Sequence, residues 1–585
     1  MKSYLLLKDF FKANWWRYGI GVLWLMLVNA MQLIVPGILG SITDGIRDQT
    51  IATADLWIYV LYILVIALVI GVSRFLWRVF IIGTARKLEY FLRNMLFGHL
   101  LTLSAGFYNK KKTGDLMAHA TNDINAVRMA AGPGIIMITD SLFLTVATIF
   151  LMVRTVDLRL TLLALLPLPF MVSMVLFFGK VIHKRFKAVQ ESFSGLTDRV
   201  QENLSGIRVV KSFVQEEAEI TRFNRAAQNY VDQNMNLIKL WGLFFPMVQF
   251  ISAFSYLIVL GSGGIMVING VITLGDFIAF NSYLGLLIWP MMALGWVVNV
   301  LQRGAASMER IKDLLEQKAE VADGHETKEV SVLQGGIQFK DLTFAYPDGT
   351  VALKNIDITV KPGQTLAVVG RTGSGKSTLA NLLLRIYNPE PGSLALDGVD
   401  INQLPLKTLR ESIGYVPQET FLFSTSIRNN IAFADIQIPR EEVEEAARTA
   451  QVYDNIMDFP HQFETISGER GVTLSGGQKQ RVSIARALIK NPKILILDDC
   501  LSAVDTHTEE EILKGLKKYM DKRTSIIISH RISTVKDADE IVVLDSGCIV
   551  ERGSHHQLLR RGGVYQQMWY KQQLERKIAE GQGGI

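Results

Sequence analysis

The sequence predicts a chain of two parts, an all-α membrane domain with six spanning helices followed by an α/β domain. Long uncharged apolar runs occupy the first half of the 585 residues and stop near residue 302. Beyond them, short β-rich runs such as residues 365–369 and 494–497 alternate with helical stretches, which is typical of a largely parallel sheet. The length alone also predicts two or more domains.

Six apolar segments are long enough to cross about 30 Å of hydrocarbon. Residues 18–43, 56–73 and 160–179 contain no charged side chain at all. Residues 240–302 contain only Asp276, and the turn-prone Asn269-Gly270 divides them into two spans. Within a membrane domain of residues 1–316, the predicted spans are 18–43, 56–78, 131–153, 160–180, 241–268 and 277–301.

Lysine and arginine residues in the loops predict the orientation in the membrane. Residues 79–132 and 180–239 hold seven and ten of them, whereas residues 44–55, 154–159 and 268–276 hold one, two and none. This imbalance places both long loops and both termini in the cytoplasm, as in a multi-pass protein of a bacterial plasma membrane. Because the topology accounts for much of the net charge of +6, no nucleic-acid partner is expected.

Asp140 interrupts the third predicted span. An unpaired carboxylate is costly in hydrocarbon, so its side chain must face the bundle interior, a water-filled cavity or a cationic partner. Two interpretations remain open. The carboxylate contacts a cationic substrate or a proton, or it forms a structural hydrogen bond between helices.

A charged linker, residues 317–336, leads into the second domain, residues 337–585. Here a glycine-rich phosphate loop follows an apolar strand and opens a helix. Lys376 is expected to reach the β- and γ-phosphates of ATP, and Ser377 to bind Mg²⁺ together with Asp498, which ends another apolar strand. The predicted ATP-binding residues are Gly370, Arg371, Thr372, Gly373, Ser374, Gly375, Lys376, Ser377 and Thr378.

A second glycine-rich segment consists of Leu474, Ser475, Gly476, Gly477 and Gln478. Glycines at a helix start present N–H groups and a positive dipole end to a phosphate. In order with the phosphate loop and Asp498, this segment resembles the signature of ABC ATPases. In that family the signature contacts ATP held by the opposite subunit, so the resemblance implies a dimer with two ATP molecules between its ATPase domains.

The resemblance covers about residues 10–570 and is closest to half-transporters of heterodimeric bacterial multidrug exporters. It therefore implies a second ABC half-transporter as partner, with ATP and Mg²⁺ as cofactors. Gln418 is implied in both γ-phosphate sensing and Mg²⁺ binding. The other matching positions are Tyr346 for adenine stacking, His530 for the γ-phosphate, Ser502 and Asp505 for a loop that crosses the dimer, and Glu469 for coupling to the membrane domain.

Asp499 departs from the family pattern, in which glutamate normally follows the Mg²⁺ aspartate and polarises the attacking water. A side chain shorter by one methylene withdraws the carboxylate by roughly 1 to 1.5 Å, which can cost on the order of 10²-fold in rate. The site of this chain is thus predicted to bind ATP and hydrolyse it slowly. The alternatives are that a small backbone shift brings Asp499 to the water, or that the protein is a homodimer with two slow sites.

The resulting prediction is ATP-driven export of amphipathic or hydrophobic compounds, of the multidrug type, through the lipid bilayer. The chain would supply one half of the exporter. The alternatives are a lipid or peptide exporter of the same architecture, a homodimeric exporter, and a membrane regulator that binds ATP without pumping.

Overall fold

The computed structural model describes residues 6–52, 54–324, 327–328, 332–501 and 506–581. The chain divides into two compact units. Unit 1 contains Met1–Leu101 and Thr113–Gln317, and unit 2 contains Thr102–Lys112 and Lys318–Ile585. The short segment Thr102–Lys112 therefore groups with unit 2, although it lies between two predicted spans.

Unit 1 is built from helices. Within the described residues, six helices are long and apolar enough to cross a membrane, which confirms the predicted helical membrane domain. One of them has 53 residues and is therefore about 80 Å long, so its polar part extends well beyond the hydrocarbon. The six are α1 (Lys8–Arg47), α2 (Leu56–Thr102), α3 (Thr113–Val156), α4 (Leu158–Ser205), α5 (Glu216–Ile268) and α6 (Leu274–Leu315).

Side-chain caps set the starts of two membrane helices. Asp157 separates α3 from α4, and its carboxylate accepts the N–H groups of Arg159 and Leu160 at 2.7 and 2.9 Å. Thr273 begins α6 with a capping box, in which its side chain accepts from the Asp276 N–H. These bonds satisfy N–H groups that have no partner within the helix, and they allow very short connections between spans.

Unit 2 contains two sheets. A four-stranded antiparallel sheet has the order β2-β1-β4-β5, and a six-stranded sheet has the order β10-β9-β3-β8-β7-β6, in which only β10 runs antiparallel to its neighbour. The strands are β1 (Ile337–Ala345), β2 (Val351–Val360), β3 (Thr365–Gly370), β4 (Leu394–Leu396), β5 (Val399–Asp400), β6 (Ile413–Val416), β7 (Ile494–Asp498), β8 (Thr524–Ile528), β9 (Glu540–Asp545) and β10 (Cys548–Gly553).

Two clusters of buried apolar side chains, contributed by strands and helices, form the core of unit 2. The α-helices of unit 2 are Ala105–Lys110, Lys376–Leu383, Leu406–Ser412, Ile427–Ile431, Arg440–Thr449, Tyr453–Met457, Gly476–Leu488, Thr506–Met520, Ile532–Val535, His555–Arg561 and Val564–Gly581.

The register of the parallel strands aligns their carboxyl ends. Val368 of β3 pairs with Ile528 of β8, and Ile528 pairs with Asp498 of β7. The neighbouring β6 pairs Val416 with Leu497. Loops that follow β3, β6, β7 and β8 consequently meet at one edge of the sheet, which is where α/β proteins bind ligands.

Candidate functional site

The phosphate loop connects β3 to the helix Lys376–Leu383, and at two of its glycines a positive φ coincides with a close backbone neighbour. Gly375 has φ of +97°, and a Cβ atom there would lie 2.5 Å from the carbonyl oxygen of Ala352. Gly370 has φ of +156°, and a Cβ atom would collide with the carbonyl oxygen of Leu544. Glycine is therefore required at both positions for this tight turn.

Lys376 places its ammonium group inside this loop. Its Nζ donates to the carbonyl oxygens of Gly370 and Arg371 at 3.0 and 2.7 Å, and the residue is only 6% exposed. Burial lowers the pKa of Lys376, while the charges of Asp498 and Asp499 act in the opposite direction. A cation held here by short-range bonds is well placed to contact the phosphates of a nucleotide.

Ser377 and Asp498 meet at the end of β7. The Ser377 hydroxyl donates to Asp498 Oδ1 at 3.2 Å, and the Tyr415 hydroxyl donates to the same carboxylate. Burial raises the pKa of Asp498, with Asp499 adding to the increase and Ser377, Lys376 and Tyr415 opposing it. A hydroxyl and a carboxylate are the hard oxygen ligands that Mg²⁺ prefers, so the residues present fit this ion.

Asp499 follows directly, and its backbone is held in place. Its φ is +44°, in the left-handed region, and its N–H donates to the carbonyl oxygen of Ile528 at 2.8 Å. The next two residues, Cys500 and Leu501, are 3% and 4% exposed. Burial raises the pKa of the Cys500 thiol to about 12, so this cysteine stays protonated and serves as a packing residue.

His530 follows β8 and reaches the phosphate loop. Its ring has a hydrogen bond with the backbone of Gly370. Burial lowers the pKa of His530, and the positive charge of Lys376 lowers it further, whereas Asp499 and Asp498 oppose this. The imidazole is therefore neutral near pH 7, with one ring nitrogen that donates a hydrogen bond and one that accepts.

Gln572, on the helix Val564–Gly581, fixes the backbone around His530. Its side-chain Nε2 donates to the carbonyl oxygen of His530 at 2.6 Å, and its Oε1 accepts the N–H of Ile532 at 2.9 Å. Sequence reasoning missed this residue because no motif surrounds it.

Tyr346, predicted to stack on adenine, lies close to the phosphate-loop helix. Its hydroxyl shares a hydrogen bond with Thr378 Oγ1 at 2.9 Å. Its ring meets Tyr387 edge-on, with 5.3 Å between centroids, and Tyr387 in turn accepts a bond from Asn109 Nδ2 at 2.9 Å. Because Asn109 belongs to the segment Thr102–Lys112, the aromatic pair links that segment to the loop. Tyr387 and Asn109 were not predicted.

Gln418 is exposed in a bend just after β6, at the same sheet edge as Asp498. The alignment of β6 with β7 brings this segment to the candidate Mg²⁺ site, although no hydrogen bond joins Gln418 to the other site residues within the described part of the chain. Tyr415, two residues before Pro417, is the β6 residue that contacts Asp498. Its position on a strand next to β7 was the only signal that could have identified it.

The signature begins the helix Gly476–Leu488 and is stabilised by its own side chains. The N–H of Gln478 donates to Ser475 Oγ at 3.3 Å, and Gln478 Oε1 accepts the N–H of Ser475 at 2.9 Å. Leu474 is buried, whereas Ser475 and Gly476 are exposed. Among the described residues, no hydrogen bond joins residues 474–478 to the phosphate loop.

The remaining predicted positions are Glu469, Ser502 and Asp505. Glu469 is exposed in the 3₁₀ turn Glu469–Gly471. Ser502 and Asp505 lie outside the described residues. The geometry thus brings together Lys376, Ser377, Asp498, Asp499 and His530 at one edge and leaves the signature apart from them.

Comparison with known proteins agrees with both halves of this architecture. The model of the ABC transporter transmembrane region matches residues 18–291, and the ABC transporter model matches residues 353–502. The chain is 41% identical over 566 residues to the probable multidrug resistance ABC transporter ATP-binding/permease protein YheI of Bacillus subtilis, with 97% of each protein covered.

Two further similarities extend over nearly the whole chain. An ATP-dependent lipid A-core flippase of Syntrophus aciditrophicus is 33% identical over 564 residues, which cover 96% of this chain and 93% of that protein. A solved structure of a bacterial Atm1-family ABC exporter with ATP bound aligns with a TM-score of 0.77 and 30% identity, covering 95% of this chain and 98% of the other. The chain therefore belongs to the ABC transporter family, as an exporter with a six-span membrane region fused to an ATPase domain that couples ATP hydrolysis to transport.

Proposed function

We propose that this chain is one half of a heterodimeric exporter of amphipathic compounds in the plasma membrane, with both termini in the cytoplasm. Its own ATP site binds nucleotide and hydrolyses it slowly, and the partner half-transporter supplies the faster site. The observation that carries this proposal is Asp499, at the position next to the buried Asp498.

The backbone of Asp499 argues against a shift that would compensate for its short side chain. A backbone shift of about 1 Å away from Ile528 would stretch the 2.8 Å bond from the Asp499 N–H to Ile528 O beyond hydrogen-bonding distance. The shift would also displace Cys500 and Leu501, which are packed in the core. A buried N–H without a partner costs about 1 to 3 kcal/mol, so the withdrawn position of the carboxylate is favoured.

The exposed signature supports a site shared between two chains. Ser475 and Gly476 present an exposed helix start, and among the described residues no hydrogen bond joins it to the phosphate loop of the same chain. In the proposed dimer this helix start contacts ATP in the phosphate loop of the partner. A chain can combine a complete signature with a weak base if its signature contributes to the partner's site, where glutamate follows the Mg²⁺ aspartate.

The proposed roles within this chain's site follow from its contacts. Lys376 binds the phosphates, Ser377 and Asp498 hold Mg²⁺ with Gln418, and His530 contacts the γ-phosphate. Tyr346 stacks on adenine. When bound, Mg²⁺ would neutralise phosphate charge. Tyr415 keeps the Asp498 carboxylate oriented for this ion.

The substrate class rests on the membrane unit and on the names of relatives. The relative from Bacillus subtilis is described as a probable multidrug resistance transporter. Trp289 and Trp296 line a cavity in unit 1, and aromatic walls of this kind suit a range of lipophilic compounds. A lipid substrate is the second candidate, because another relative is described as a lipid A-core flippase.

Transport by reconstituted membranes tests this proposal. The chain is co-reconstituted with a second half-transporter that has glutamate after its Mg²⁺ aspartate, and ATP-dependent accumulation of a lipophilic dye is followed in inside-out vesicles. We expect dye to accumulate, and we expect this accumulation to disappear when this chain carries Lys376→Ala and the partner carries the equivalent substitution. ATP binding without any movement of dye or labelled lipid would favour the regulator instead.

A further inference from the structure

A cavity of about 500 Å³ lies inside unit 1, between α1, α2, α3 and α6. Trp289 and Trp296 of α6 contribute large aromatic surfaces to its lining. Arg74, Arg78 and Asp140 are the charged residues of the lining within the part of the chain that the structure describes. The cavity thus combines apolar walls with a few polar groups, as small-molecule sites generally do.

The single carboxylate of the cavity is already engaged by the protein. Asp140 Oδ1 accepts a hydrogen bond from Asn29 Nδ2 at 2.9 Å, which joins α3 to the buried Asn29 of α1. Arg74 lies close enough for its positive charge to act on this carboxylate. This arrangement agrees with a structural hydrogen bond between helices, one of the two interpretations of Asp140, and it leaves Asp140 poorly suited to a cationic ligand.

Arg78 is a second cation without a matching carboxylate in the described lining. Its guanidinium lies over the ring of Trp77, 5.4 Å from the centroid. Such stacking fixes a guanidinium in place and leaves its N–H groups available to an acceptor. Two arginines against one aspartate make the lining positive by one charge, and a cleft with an excess of positive charge favours an anion over a cation.

Two further polar atoms of lining residues have no hydrogen-bond partner among the described residues. They are Trp77 Nε1 and Ser141 Oγ, and both atoms are buried. An indole N–H can only donate, and a hydroxyl can donate as well as accept. Buried donors without partners are uncommon, and each usually needs a ligand or a water molecule as acceptor.

We propose that this cavity is a binding site for amphipathic anions, which place a carboxylate, sulfonate or phosphate against Arg78, Trp77 Nε1 and Ser141 Oγ. Their apolar part lies along Trp289 and Trp296. The inference rests on the proposed export function, because it names the chemical class of the compounds exported. An excess of donors and positive charge distinguishes this class from lipophilic cations, which Arg74 and Arg78 would repel.

Equilibrium binding to the purified full-length chain in phosphatidylcholine nanodiscs tests the site. Fluorescein and rhodamine 123 share a xanthene frame and have opposite net charge at pH 8, so fluorescence anisotropy compares charge at nearly constant shape. We expect fluorescein to bind about tenfold more tightly than rhodamine 123, and Arg78→Gln to remove most of that difference. Equal affinities in the unaltered protein, or no effect of Arg78→Gln, would overturn the proposal.

Matched variants separate this role from a general loss of structure. Arg78→Lys keeps the charge and should retain most of the preference, and Arg154→Gln makes the same change at an exposed residue outside the cavity and should alter nothing. Trp77→Phe removes one donor and keeps an aromatic ring, so fluorescein binding should weaken about threefold. If Arg78→Gln does not fold, unchanged binding by Trp77→Phe and by Ser141→Ala contradicts the proposal.

Two more measurements identify the source of the anion and distinguish binding in the cavity from export. Adding phosphatidylglycerol to the nanodiscs should displace fluorescein if a lipid headgroup occupies the site, and should leave binding unchanged if soluble compounds are the ligands. ATP-dependent fluorescein movement is then measured in vesicles with the partner chain. Binding with the predicted preference but no movement rejects the export function and retains the site, whereas movement without that preference rejects the site alone.

Discussion

The phosphate loop and the signature are both glycine-rich starts of helices, yet the structure treats them differently. Lys376 of the loop and Asp498 of β7, which bonds to Ser377 of the loop helix, are 6% and 2% exposed. Ser475 and Gly476 are exposed, and the signature is organised by the capping box between Ser475 and Gln478. The chain therefore completes one region internally and leaves the other open on its surface.

In the proposed dimer, this difference would explain how a chain with a weak base is still required for turnover. If each ATP site combines the phosphate loop of one chain with the signature of the other, then Asp499 limits only the site of its own chain. The signature of the same chain acts at the second site. Substitutions in the phosphate loop and in the signature should consequently affect different bound nucleotides.

The largest effect is expected from Ser475→Arg, and it should depend on which chain carries it. A pair of differently tagged chains is prepared, one unaltered and one with Asp499→Glu, so that only the second has a full-length base. Ser475→Arg in the unaltered chain fills the helix start that faces the glutamate site and should reduce steady-state ATP hydrolysis of the pair by about 10²-fold.

The reciprocal pair is its control. When Ser475→Arg is placed instead in the Asp499→Glu chain, the slow site is the one disrupted, and most of the turnover should remain. Equal losses from both placements would contradict the idea that each signature serves the opposite chain.

A somewhat smaller effect is expected from Lys376→Ala on nucleotide binding by this chain. The substitution removes the ammonium group that lies inside the phosphate loop, so affinity for a fluorescent ATP analogue should fall at least about tenfold. Lys361→Ala removes an exposed lysine of the same unit and serves as the control. Unchanged affinity in the Lys376→Ala protein would contradict the assignment of this loop as the phosphate-binding loop.

Gln572→Ala should lower the turnover of the assembled pair by about fivefold and leave the KM for ATP nearly unchanged, because it frees the backbone of His530 without touching the nucleotide. A less buried imidazole would also have a pKa closer to the ordinary value of histidine. Since burial lowers the pKa of His530, the variant should become protonated at a higher pH and lose activity earlier as the pH falls.

Gln572→Glu keeps the acceptor for the Ile532 N–H and loses the donor to His530 O, so an intermediate effect is expected. A lower thermal stability with an unaltered pH profile would show that Gln572 serves folding alone.

The smallest effect is expected from Asp499→Asn in a pair whose partner has glutamate. If Asp499 is the weak base that we propose, its replacement by a neutral side chain should change turnover only about two- to threefold. A loss greater than that caused by Ser475→Arg in the same chain would mean that Asp499 is an effective base.

Hydropathy and motif order predict the six apolar helices, the α/β domain and the phosphate loop, because each depends on local sequence. Contacts between distant segments cannot be predicted from local sequence. Asn109, Tyr387 and Tyr346 become neighbours only through the tertiary fold, and the length of α5 beyond the bilayer does not follow from an apolar run. Asp140 was recognised as unusual, but its partner Asn29 lies 111 residues away, so only the structure identifies their bond.

The most direct test of the account compares steady-state ATP hydrolysis by the purified unaltered chain with hydrolysis by the tagged pair in which one chain carries Asp499→Glu. We expect slow turnover by the unaltered chain alone and an increase of about 10- to 100-fold in the pair, because one methylene restores the reach of the base at a single site. Brisk turnover by the unaltered chain, with no gain in the pair, would show that Asp499 is an adequate base and that no partner is required.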